Sequence, residues 1–129
     1  MNSNTPSTLQ QQAREFRKSY RIPNSKTVSQ RSVQKDLIVE EFKEFLEAEG
    51  ELWHRNPTYP SEALKELADL VYVTYHKAVT FGRNLDEAVR RVHASNMSKL
   101  DEEGEPIFRE DGKVMKGPNY KEPNLSDLI

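Results

Sequence analysis

Carboxylates in two short stretches carry the chemical interest of this chain: Glu40, Glu41 and Glu44 in "EEFKE", and Glu66 and Asp69 in "ELAD". Both stretches have helical periodicity. On a wheel of about 100° per residue with Ile38 at the origin, Phe42, Phe45, Leu46, Leu37 and Ala48 form a continuous apolar arc. Glu41 falls inside that arc, at about 300°, and Glu44 on its edge. Glu40 points to the side free to meet water. A carboxylate in an apolar face is costly unless it is paired, hydrogen-bonded or metal-bound. In the next helix, with Leu67 at the origin, Ala63, Leu64, Leu70, Val71, Thr74 and Ala78 cluster, and Glu66 and Asp69 border the apolar face. Each helix thus presents an i, i+3 acidic pair. Four converging carboxylates repel one another, and a hard divalent cation relieves that repulsion. Oxygen ligands suit magnesium or manganese. An acidic site without histidine suggests Mg²⁺ held together with substrate phosphates. The competing reading is a solvated acidic face, because exposed charge pairs are ordinary and contribute little.

The elements that must position these groups can be read along the chain. Residues 1–7 are polar and expected to fray. Leu9, Ala13, Phe16 and Tyr20 recur at helical spacing, and "PNSK" ends that helix. A long second helix is expected from about Val28 to Trp53 or Arg55. "RNPTYPS" reads as a loop, with Ser61 capping a third helix from about Glu62 to Phe81 that stops at Gly82. Asn84 and Glu87 resemble a capping box, opening a fourth helix with Leu85, Ala88, Val89 and Val92 on one face. From residue 101 the chain turns Gly- and Pro-rich, and "PIFREDGKVM" suits a small β-hairpin around Asp-Gly. The expected fold is all-α: a four-helix bundle over residues 8–100, with an irregular tail at 101–129.

Composition narrows the classes. The 129 residues fit one domain, and a chain 35% hydrophobic and 31% charged makes a lean core that a second copy could complete. The net charge of −2 gives no field for nucleic acid. With no cysteine, disulfides, thiolate catalysis and zinc–cysteine sites are excluded. No apolar run approaches a membrane span, and the N-terminus lacks the apolar segment of a signal peptide. The default is a cytoplasmic protein without nucleic-acid or membrane partners.

The pattern "EEFKE", residues 45–65, "ELAD" resembles the Glu-Glu-x-x-Glu … Glu-x-x-Asp signature of the MazG-like all-α nucleoside triphosphate pyrophosphohydrolases. Dimeric dUTPases and phosphoribosyl-ATP pyrophosphohydrolases are relatives in that superfamily. The likeness extends through "ELADLVYVTYHKAV", "SNMSKL" and "DGKVMKGPNYKEPNL", roughly residues 30–125. The compact form with this tail looks like small phage-type members such as the MazZ group, which act on deoxypurine triphosphates; such a protein would work in the host cytoplasm.

The resemblance implies cleavage between the α- and β-phosphates, giving a monophosphate and pyrophosphate. It implies that Glu41, Glu44, Glu66 and Asp69 hold two or more Mg²⁺ ions, with Mn²⁺ a substitute. Water would attack the α-phosphorus, with Glu41 or Glu44 as general base. Asn96 and Lys99 extend the apolar stripe of the fourth helix as a polar pair, which suggests a pocket; by the family pattern they contact phosphate or sugar. Lys113, Lys116 and Tyr120, set around two glycines, are candidate substrate contacts from the tail. dGTP is the first substrate expected, with dUTP, dCTP and phosphoribosyl-ATP open, and a homodimer or homotetramer is expected. Trp53, Phe16 and Tyr20 read as packing residues, and His54 and His76 have no assigned role. The rival class is a helical interaction module without activity.

Overall fold

A computed structural model describes residues 5–51 and 59–129. The expected N-terminal fraying at residues 1–4, Trp53, His54 and most of the expected 55–61 loop lie outside the described residues. Among the described residues the chain forms α1 (Leu9–Ser19), α2 (Val28–Glu51), α3 (Tyr59–Thr80), α4 (Leu85–Met97) and a terminal 3₁₀ turn at Ser126–Leu128, with no strand. The all-α expectation holds. The described residues divide into two compact units, Met1–Arg83 and Asn84–Ile129.

In the first unit α2 packs on α3 and α1 packs on α3. The helix ends follow local chemistry. Thr8 caps α1 through a reciprocal box with Gln11: the Gln11 N–H donates to Thr8 Oγ1, and the Thr8 N–H donates to Gln11 Oε1. At α2, Thr27 Oγ1 accepts from the Gln30 N–H. The third helix begins at Tyr59, ahead of Ser61, so Ser61 is not its cap. Pro60 is tolerated there because a first-turn N–H has no intrahelical acceptor to lose. At its other end Gly82 adopts φ 69°. The Gly82 N–H bonds the Val79 carbonyl and the Arg83 N–H bonds the Ala78 carbonyl, closing the helix as a Schellman motif.

The core of this unit is made of small or polar-tipped side chains: Ala13, Ala48, Ala63, Tyr75 and Val79. Both wheels need rotating. On α2 the covered line runs from buried Gln34 through half-buried Ile38, Glu41 and Phe45 to buried Ala48, whereas Phe42 and Leu46 are 47% and 50% exposed. On α3 the covered line runs Ala63, Glu66, Leu70, Val73, and Leu64, Leu67 and Val71 are exposed. Apolar content alone located the middle of each face wrongly, because part of that apolar surface is not used inside the chain.

In the second unit Asn84 caps α4 by accepting the Glu87 N–H at 3.1 Å. The reciprocal half of the expected box is replaced: the Glu87 carboxylate accepts from Arg90 and Arg91 instead. The expected hairpin is present in minimal form. Phe108 and Val114 make one antiparallel bridge, with Gly112 at φ 89° in the turn and hydrogen bonds joining Arg109 to Lys113 and Met115 to Ile107. The tail is then tied to α4. The Gly117 N–H bonds the Lys99 carbonyl, Ser95 Oγ donates to the Lys121 carbonyl, and Arg91 forks onto Asp127.

Candidate metal centre

The contact between α2 and α3 brings the two acidic stretches together. One carboxylate oxygen from each of Glu41, Glu66 and Asp69 lies within 4.8 Å of the others. All three residues are partly buried. Helical spacing explains the arrangement: Glu66 and Asp69 sit one above the other on α3, and Glu41 occupies the middle of the α2 line that faces them.

The electrostatics are unresolved within the protein. Glu41 Oε2 and Glu66 Oε2 are buried and have no hydrogen-bond partner among the described residues. Burial is the main cause that pushes the Glu41 carboxyl up to about 6. The Glu44 charge and a hydrogen bond between the two side chains come next, and the charges of Asp69 and Glu66 add to them. A hydrogen bond between two carboxyl groups requires a shared proton. The raised Glu41 value reflects a cluster of like charges that a cation would relieve.

Lys65 supplies the nearest protein cation. Its Nζ lies 2.6 Å from Asp69 and 3.5 Å from Glu66, and the Asp69 bond raises its ammonium above the usual range. It is largely exposed and reaches the cluster only from its α3 edge, so the two buried oxygens stay unpaired.

A hard divalent ion fits this donor set. Such ions take oxygen ligands at roughly 2.0–2.6 Å, so ligand oxygens gathered within about 5 Å of one another match a shared ion. The expected ligands Glu41, Glu66 and Asp69 are thus brought together. Glu44 touches Glu41 but is not one of the three clustered oxygens. Glu40 is exposed, as its wheel position implied.

The substrate-binding candidates lie in the second unit. Asn96 is exposed near the end of α4, and Lys99 is half-buried just beyond it. Lys113 sits in the hairpin, and Lys116 Nζ stands 4.7 Å from the Tyr120 ring centroid as a cation–π pair. Sequence reading gave no role to His76. The structure buries it against Phe16 and Tyr72 at ring distances of 5.0 and 4.8 Å. Burial, and then the Arg17 charge, push its pKa down. The i, i+4 spacing of Tyr72 and His76 was the signal available for part of that cluster; the Phe16 contact comes from the packing of α1 on α3.

No curated protein matches the chain. The family model described as phosphoribosyl-ATP pyrophosphohydrolase matches residues 7–96, a span that holds the whole carboxylate cluster and stops before Lys99 and the tail. With that match over most of its length, the chain belongs to the phosphoribosyl-ATP pyrophosphohydrolase family, and through it to the MazG-like all-α nucleoside triphosphate pyrophosphohydrolases.

Proposed function

We propose that this nucleotide pyrophosphohydrolase acts on a deoxynucleoside triphosphate, dGTP or another deoxypurine first, releasing the monophosphate and pyrophosphate. The observation that carries the reading is the three-carboxylate cluster with its two unpaired buried oxygens. Family membership sets aside the module without activity and supports phosphoribosyl-ATP as a substrate equally well. The phage-type likeness of the tail favours the deoxypurine.

Glu41, Glu66 and Asp69 would hold the metal, Mg²⁺ by preference and Mn²⁺ as a substitute, with Glu44 completing the set. Bound divalent ions supply positive charge for the phosphates and lower the pKa of water. The Glu41 carboxyl, raised to about 6 by burial and by the neighbouring Glu44, is suited to take a proton from the attacking water near neutral pH. Cleavage of the α–β anhydride sends the electron pair to the pyrophosphate oxygen. Lys65, now 2.6 Å from Asp69, would have to release that carboxylate for it to serve as a metal ligand. Asn96, Lys99, Lys113, Lys116 and Tyr120 are proposed to hold phosphate, sugar or base. A homodimer or homotetramer would cover the exposed Phe42, Leu46, Leu64, Leu67 and Val71. No described helix is long and apolar enough to cross a membrane, and the proposed setting is the cytoplasm.

The test is pyrophosphate release from a panel of NTPs, dNTPs and phosphoribosyl-ATP, with Mg²⁺, Mn²⁺ or EDTA. Metal-dependent release that is fastest with dGTP or dATP supports the reading. Preference for phosphoribosyl-ATP overturns the substrate assignment. Release that persists in EDTA overturns the metal role.

A further inference from the structure

The carboxylate centre leaves the far end of α3 without a role. There a cavity of about 380 Å³ opens between α1, the turn after it and the end of α3, entirely within the first unit. Its charged lining is of one sign: Arg14, Arg17 and Lys18 from α1 and Arg83 from beyond Gly82, with Asn24 beside them. Among the described residues no carboxylate lines it. Among the described residues the ion-pairing cations are Lys65, Arg90, Arg91 and Arg109, and none of these four. Glu15, their neighbour on α1, faces a separate hollow beside Tyr20 and Tyr72.

Arg17 makes this a constructed pocket rather than a solvated basic patch. It is 3% exposed, and burial holds its guanidinium below the usual range. Its Nη2 donates to the Pro23 carbonyl at 2.8 Å and its Nε to Asn24 Oδ1 at 3.4 Å. Nη1 has no protein acceptor among the described residues. A buried cation served only by neutral acceptors is costly. The walls are fixed as well. Arg21 turns the chain at φ 56°, the Ile22 N–H returns to the Arg17 carbonyl at 2.8 Å, and the Ser25 N–H bonds the Thr80 carbonyl at 3.1 Å. The Schellman closure of α3 sets Arg83 in place. Val79 and Ile22 give the cavity an apolar wall, which strengthens charge interactions there.

Guanidinium forks match phosphate oxygens in geometry and charge, and the volume falls in the small-molecule range of roughly 300–1,000 Å³. We propose that this cavity binds the phosphate chain of a small di- or triphosphate, at a site separate from the carboxylate centre. Asp69 and Thr80 are separated by roughly 16 Å along the α3 axis, so the two sites occupy different parts of the same helix. Free pyrophosphate and the phosphates of a nucleotide share the required chemistry.

The test is titration of the full chain with sodium pyrophosphate in EDTA, followed by calorimetry and thermal melting. Without divalent ions the carboxylate centre repels pyrophosphate, so binding reports the cavity and no turnover is involved. The inference is thus independent of the hydrolytic reading. The expected result is saturable binding that raises Tm and weakens with salt. R14Q/R83Q should weaken it at least tenfold, while E41Q leaves it unchanged. Both arginines are at or near the surface, and unaltered far-UV circular dichroism would confirm that the double variant folds. A parallel titration with dGTP separates the sources: equal affinity assigns recognition to phosphate alone, and tighter dGTP binding assigns it to a nucleotide. Absence of saturable binding overturns the proposal. So does binding undiminished in R14Q/R83Q, or retention of a DNA oligonucleotide by a protein that ignores pyrophosphate.

Discussion

The two compact units handle charge in opposite ways. In the second, the charges along α4 are paired with one another and with the tail: Glu87 accepts from Arg90 and Arg91, and Arg91 also forks onto Asp127, where it meets the Asn124 carbonyl. In the first, Glu41 and Glu66 keep buried oxygens without partners, and Arg17 sits buried among neutral acceptors. An unpaired buried polar group costs roughly 1–3 kcal/mol, more when charged. Among the described residues the unpartnered buried carboxylate oxygens belong to the first unit, which holds the candidate metal centre.

The largest effect expected is on turnover. Glu41→Gln or Asp69→Asn should lower pyrophosphate release by about 10³-fold or more, as loss of a metal ligand and proton acceptor would. The same substitutions should leave the metal-free protein at least as stable as wild type, since each removes a repelling charge. Steady-state kinetics and thermal melts in EDTA would show both; loss of folding in E41Q would break the contrast drawn above.

The second unit should respond to packing instead. A Cβ on Gly117 would stand 2.5 Å from the Leu100 carbonyl oxygen and 2.6 Å from that of Lys99. Neither backbone oxygen can yield cheaply, so Gly117→Ala should destabilise the tail by about 1–3 kcal/mol. Faster amide exchange at residues 117–121 would report it, with melting of the first unit unchanged.

Acid should separate the units further. Glu41 has a folded pKa of about 6 against an ordinary 4.5. The folded state therefore holds the extra proton between those values, and metal-free stability falls as pH rises from 4.5 through 6. After discounting for solvent screening the loss is on the order of 1 kcal/mol. Glu87 runs the other way. Hydrogen bonds from Arg90 and Arg91 hold it down at about 2, so its contribution is complete above 4.5 and is lost as pH falls toward 2. Asp127 is lowered by Arg91 in the same sense. Melts across pH 2–8 in EDTA, on wild type, E41Q and E87Q, would separate the two slopes.

The smallest effect concerns Lys65. Replacing it with Met removes the ammonium that competes for Asp69 and Glu66, and should tighten divalent-ion binding by a fewfold in a competition titration. Weaker binding would mean that Lys65 supports the centre.

Much of this was legible in residue order. The i, i+3 acidic pairs showed as interruptions in apolar stripes, and Gly82, Asn84 and Asp111-Gly112 announced their turns by chemistry local to each. The faces of α2 and α3 were less legible. Phe42, Leu46, Leu64 and Leu67 count as apolar on a wheel wherever their cover comes from, so the wheel put the centre of each stripe on surface the chain leaves exposed. Arg83 stood out as a cation near a helix end, but the basic cavity was not legible as a unit, because Arg14, Arg17 and Lys18 meet Arg83 only through the packing of α1 on α3. Arg17 follows Ala13 by one turn on the buried face of α1, but its residue type masked that position, and its acceptors come from the Pro23–Asn24 turn, which has no periodic signature.

The most direct test of the carboxylate centre is Mn²⁺ binding followed by electron paramagnetic resonance on the full chain, wild type against D69N and E41Q. Saturable binding is expected for wild type, with a loss of at least tenfold in affinity in both variants. Wild-type affinity in both would contradict that expectation.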